Sequence, residues 1–151
     1  MIENTTDLNE LNILNGIRDG IPICIGYFPI AMAFGILAKG AGLNLLETLS
    51  FSFIVFAGAS QFIAVSMIAM GSSAWEIILT TLFLNFRHFL MSASLSPKIN
   101  CKNPFIKMII SFFVTDESFS VASFANTKLT EKYILPMQLL GYFGWGLGTG
   151  V

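Results

Sequence analysis

Arg87, His88, Asp116 and Glu117 are the residues of this chain whose types could move a charge or a proton, and each stands inside a long apolar stretch. Arg87 and His88 interrupt the run from Ala74 to Leu95; Asp116 and Glu117 interrupt the run from Phe105 to Ala125. A guanidinium at the centre of a lipid span costs roughly 2.5 to 3.5 kcal/mol on insertion scales, so Arg87 requires an acidic partner. The loop between the two runs centres near residue 101 or 102. Arg87 then lies about fourteen positions before it and Asp116 about fourteen after, at similar depth in antiparallel helices rising 1.5 Å per residue. Neighbours on a helix are about 100° apart, so one carboxylate can meet Arg87 while the other faces His88 or a cavity. One arginine against two ionised carboxylates leaves a surplus negative charge, and burial disfavours the ionised form. A proton that binds and leaves there suits proton coupling; a carboxyl that stays protonated and only packs is the other reading.

The neighbouring residues extend this polar set. Thr81, Asn85, His88, Ser92 and Ser96 fall within about 80° of arc on a 3.6-residue helix, so one face of that span looks into the protein or a watery cavity. In another apolar run, Ala57, Ser60, Gln61 and Ala64 share a face. Gln61 there either hydrogen-bonds a neighbouring helix or touches a substrate.

The elements that position these groups are membrane helices. Hydrophobic residues make up 54% of the chain and charged residues 11%, with mean hydropathy +0.74; a soluble domain carries about 25% charged residues. Residues 1–19 read as a polar N-terminal tail and 20–151 as a transmembrane domain. Spans of the roughly 20 residues that a bilayer needs are expected at Gly20–Ala38, Thr48–Met70, Ala74–Leu95 and Phe105–Ala125. A fifth begins near Pro136 and is cut at Val151, which points to the N-terminal part of a longer transporter or to completion by something else. The fold class is therefore all-α, a polytopic transmembrane helix bundle of four full spans plus a truncated fifth. Pro22, Gly26, Pro29 and Gly35 predict a discontinuous first span, with a kinked helix braced by its neighbours as the alternative. Lys98, Lys102 and Lys107 place the loop between spans three and four in the cytoplasm.

Gly26-Tyr27-Phe28 and Gly141-Tyr142-Phe143 form a faint internal echo. Ala31 and Gly35, Gly144 and Gly148, and Gly146 and Gly150 sit at helix-packing spacing. The net charge of -1 suggests no nucleic acid partner. Cys24 and Cys101 read as two unpaired thiols, and a single His without a ligand cluster implies neither metal nor cofactor. The acidic N-terminus lacks the basic region of a secretory signal, so the first span is retained; Asn4-Thr5-Thr6 matches a glycosylation sequon.

The strings GIRDGIPICIGYFPIAMAFG (16–35), FAGASQFIAV (56–65), NFRHFLMSASLSP (85–97) and TDESFS (115–120) resemble signature segments of the AzlC family, the large subunit of bacterial branched-chain amino acid exporters. The resemblance runs from about Gly16 to the end of the chain. It implies a multi-pass protein of the bacterial inner membrane that exports valine, leucine, isoleucine and also methionine, driven by the proton gradient. It further implies a small hydrophobic AzlD-like partner subunit. Tyr27, Pro29, Gln61, Asn85, Arg87, His88, Asp116 and Glu117 lie inside the matching strings and are the residues carried over. An amino acid zwitterion would meet Arg87 or a helix N-terminus with its carboxylate and Asp116 or Glu117 with its ammonium. Two other classes are weighed against this: a non-transporting structural or assembly subunit, and an intramembrane enzyme or redox protein using His88. The second lacks a partner constellation for its lone histidine.

Overall fold

The computed structural model describes residues 12–125 and 128–151, and the Asn4-Thr5-Thr6 sequon lies outside them. The described chain is built of helices, as a membrane requires when each backbone group must be satisfied within the protein. In order these are α1 (Ile13–Gly40), α2 (Leu45–Ser50), a π-helical turn (Phe51–Val55), α3 (Gly58–Ala69) and α4 (Ala74–Leu95). A 3-10 turn (Ser96–Lys98), β1 (Ile99–Asn100), α5 (Pro104–Phe112), α6 (Asp116–Ser123), β2 (Leu129–Thr130) and α7 (Glu131–Gly150) follow. The strands pair in parallel, Ile99 with Leu129 and Asn100 with Thr130, a small departure from the expected all-α chain. Ile13–Gly40 and Ala74–Lys98 are long and apolar enough to cross a bilayer.

The first span is one uninterrupted helix of 28 residues, not a discontinuous one. Pro22 and Pro29 are absorbed because the backbone of α7 lies directly against α1. A Cβ on Gly35 would stand 2.6 Å from the Thr149 carbonyl oxygen, and one on Gly144 would stand 2.6 Å from the Cys24 sulfur. On Gly148 it would stand 2.9 Å from the Ala31 Cβ. Such contact braces a helix against the loss of a proline's hydrogen bond. It also gives the small-residue pairs their bundle-packing role.

Spans two and four carry the interruptions instead. The second is divided into α2, the π turn and α3, and the fourth into α5 and α6. Span three matches its expected bounds, Ala74–Leu95. The fifth helix starts at Glu131, ahead of Pro136, which lies inside it. Gly42 (φ 86) and Gly71 (φ 75) end α1 and α3. In each case the next residue's amide bonds five positions back, Leu43 to Ala38 and Ser72 to Met67, a geometry only glycine accepts cheaply.

The backbone divides into two compact units. The first combines the described part of Met1–Ile23 with His88–Gly141, around Leu95, Ile110, Leu129, Ile134 and Met137. The second combines Cys24–Arg87 with Tyr142–Val151, around Ala31, Phe34, Gln61 and Val65. Each therefore contains one broken span and a share of α1, α4 and α7.

Candidate functional site

In the second unit the break begins where the π turn closes, with the Phe56 amide bonded to the Phe51 carbonyl five residues back. Phe56 then takes a left-handed conformation, φ 41, and is buried with Ala57. For a residue with a Cβ that conformation costs roughly 1–2 kcal/mol, and such strain concentrates at functional positions. Helix α3 restarts at Gly58 with no side chain capping it. The lost backbone pairing is made good from elsewhere: Tyr142 Oη donates to the Phe53 carbonyl at 2.8 Å.

A buried polar line runs from this break. Thr149 Oγ1 donates to the Trp145 carbonyl at 2.9 Å. Its proton is thereby committed, so Ser52 Oγ donates to Thr149 across 2.7 Å. Ser52 in turn accepts from Gln61 Nε2 at 3.2 Å. This order fixes the Gln61 amide and leaves Oε1 buried without a hydrogen-bond partner among the described residues. On an adjacent face of α3, Ser60 Oγ donates to Asn85 Oδ1 at 2.6 Å. Gln61 thus bonds the π turn of its own run, and the bond to a neighbouring helix is made by Ser60 instead. Tyr27 meets the Trp145 indole edge-on at 5.6 Å, and Phe34 stacks on the same indole at 6.5 Å. A cavity of about 490 Å³ borders Thr149, with Gly35, Lys39, Asn44 and Thr48 in its wall.

In the first unit α5 stops at Phe112 and α6 restarts at Asp116. Gln138 Nε2 donates to the Ile110 carbonyl at 3.1 Å, and Ser92 Oγ lies 3.5 Å from the Ser111 carbonyl. Here the new helix is capped: Thr115 accepts from the Ser118 amide, and Ser118 Oγ accepts from the Thr115 amide. Asp116 and Glu117 occupy the first turn, where the helix dipole favours negative charge. Both are exposed at the start of a helix rather than buried in the middle of one. A cavity of about 530 Å³ is lined by His88, Ser92, Ser96, Ser111 and Phe112. Away from it, Tyr133 Oη donates to Asp19 at 2.6 Å.

The polar stripe of α4 holds in part: Ser96 is exposed in the 3-10 turn beyond the helix. Thr81, Asn85, His88 and Ser92 are half-buried, whereas Leu82, Phe83, Phe86, Phe89 and Leu90 on the other faces are exposed. Tyr27, Gln61, Asn85 and Arg87 belong to the second unit; His88, Asp116 and Glu117 belong to the first. Arg87 is exposed, and its expected pairing with an acid joins residues of different units. Both cysteines are free thiols. Cys101, in the loop before α5, donates to Glu131 at 2.9 Å, and this hydrogen bond holds its pKa above the ordinary thiol value. Among the described residues no cluster of three His, Cys, Asp or Glu could hold a metal.

Sequence reasoning passed over Trp145, Ser52, Thr149 and Gln138, and met Tyr142 only as part of the internal echo. Isolated polar residues in Phe- and Gly-rich helices show nothing until their partners are known. The breaks themselves had a signal, because Thr115 with Ser118 is a helix-start pattern in the middle of an apolar run.

Comparison with known proteins places the chain beside membrane proteins. The chain is 36% identical over 141 residues to the inner membrane protein YgaZ of Escherichia coli, covering 90% of this chain and 58% of that protein. It is 33% identical over 136 residues to an uncharacterized membrane protein of Archaeoglobus fulgidus, covering 90% and 59%. With the branched-chain amino acid transport protein AzlC of Bacillus subtilis it shares 26% over 134 residues, 87% of this chain and 52% of that one. The chain thus spans a little over half the length of these relatives. No solved structure matches it. The AzlC protein family pattern covers residues 22–151, and the chain belongs to that family.

Proposed function

We propose that this chain forms part of a secondary transporter, multi-pass in the bacterial inner membrane, that exports valine, leucine, isoleucine and methionine at the expense of the proton gradient. A small hydrophobic AzlD-like subunit assembles with it. The observation that carries the reading is the interrupted helix at Phe56–Ala57, with buried polar groups around it in an otherwise apolar unit. Transporters place substrates at such interruptions because only there does lipid-embedded backbone have unspent hydrogen bonds. The name of the Bacillus subtilis relative supports amino acid transport, and its low identity makes the cargo of this chain a proposal.

In this reading Tyr27, Gln61, Asn85 and Arg87 contact the amino acid, while His88, Asp116 and Glu117 carry the proton. Cells producing the protein with its small subunit should extrude labelled leucine when a proton gradient is imposed. Asp116→Asn should leave leucine bound and abolish the coupling. Coupled efflux undiminished in that variant would remove Asp116 from the mechanism. A complete lack of leucine movement in the unaltered protein would favour an assembly subunit instead.

A further inference from the structure

We infer that the amide end of α3 holds the carboxylate of the transported amino acid, with the Trp145 indole N–H as an added donor and Gln61 Oε1 as acceptor for the ammonium. This rests on the transporter reading above and names the part of the substrate that the second unit recognises.

The first observation is the bare helix start. Helix α3 has 12 residues, its N-cap Ala57 offers no side-chain acceptor, and the amides of Gly58, Ala59 and Ser60 have no carbonyl one turn back. Converging N–H groups at the positive end of a helix dipole bind an anion without any basic residue.

Two further observations concern side chains rather than the helix amides. Trp145 is only 5% exposed, and its Nε1 is buried with no hydrogen-bond partner among the described residues. Its ring lies against the helix start: a Cβ on Gly58 would stand 2.8 Å from Trp145 Cη2. Gln61, one turn into the same helix, is 0% exposed, and its Oε1 is likewise unpartnered. Leaving a donor and an acceptor unsatisfied in an apolar interior costs stability that a ligand can restore. An α-amino acid has the matching inventory, two carboxylate oxygens for the amides and indole and an ammonium for Gln61.

Gly58 is half-buried and Ala59 exposed, so one side of the helix start is open. The break in the first unit differs, because Thr115 already accepts from the Ser118 amide and Asp116 and Glu117 place negative charge at the start of α6.

The test uses this chain in lipid nanodiscs with Trp75→Phe, an exposed position, which leaves Trp145 as the one indole of the 151 residues. Leucine and 4-methylpentanoate, which keep the carboxylate, should change Trp145 emission. Leucinamide, which lacks it, should bind at least about tenfold more weakly, the loss expected for a charged hydrogen-bond set. Trp145→Phe should weaken labelled leucine binding by about tenfold for the same reason. Ala57→Asp, which supplies its own carboxylate to the amides, should abolish it. Leucinamide binding as tightly as leucine, or leucine binding with Trp145 emission unchanged, would overturn the inference and leave the transporter reading standing. If leucine, valine and isoleucine all fail to bind, the transporter reading falls and takes this inference with it.

Discussion

The two broken spans solve one problem in opposite ways. Each interruption frees backbone groups between two helices of one apolar run, and in each unit a residue of α7 repairs the carbonyl side: Tyr142 bonds Phe53, and Gln138 bonds Ile110. On the amide side they diverge. The first unit closes its helix start with Thr115 and Ser118 and then presents Asp116 and Glu117. The second leaves its start bare beneath an indole. The capped break commits its Ser118 amide to Thr115 and displays charge of its own; the uncapped one displays no charge and has no side chain on its amides. In the transporter proposed above, the first break would carry the proton and the second the solute.

The comparison can be broken at the carbonyl side first. Gln138→Leu leaves a buried carbonyl unpaired, which should cost about 1–3 kcal/mol in detergent-mediated unfolding, and Tyr142→Phe, which removes an exposed hydrogen bond, should cost less, about 0.5–1.5 kcal/mol. A loss confined to one variant would show that only one break needs α7. The amide side sharpens the contrast with smaller effects of opposite sign. Thr115→Ala should destabilise by about 1 kcal/mol, while Ala57→Ser, which adds the missing cap, should stabilise by a similar amount. Ala57→Ser should also weaken leucine binding, so stability and affinity should move apart in that variant. The smallest effect lies outside the spans. Because Glu131 raises the Cys101 pKa, Glu131→Gln should lower it and speed iodoacetamide labelling of Cys101 at pH 8. Unchanged labelling would show that the hydrogen bond does not govern that thiol.

Sequence patterning found α4 to the residue because an apolar run of 22 positions bounded by polar turns has one physical solution in a bilayer. It misplaced the discontinuity because Pro22 and Pro29 read as helix breakers; the helix braced by its neighbours, the alternative, is what α1 is. In lipid the close backbone of α7 supports them. The true breaks lay inside runs whose average hydropathy hides them, although Thr115-Asp-Glu-Ser118 and Ala57-Gly58-Ala59 mark both. Gln61 and Asn85 were visible as polar residues on helix faces. Trp145 was not, since an indole in an aromatic-rich helix looks like filler until its nitrogen is found without an acceptor.

The line from Gln61 through Ser52 and Thr149 to the Trp145 carbonyl has a direction, since every proton in it points the same way. Hydrogen bonds arranged head to tail polarise one another. A cation arriving at the open end of Gln61 would therefore tighten all three links at once, stiffening the helix that carries the indole. Occupancy at one end of the seam would be registered at the other without any side chain changing rotamer.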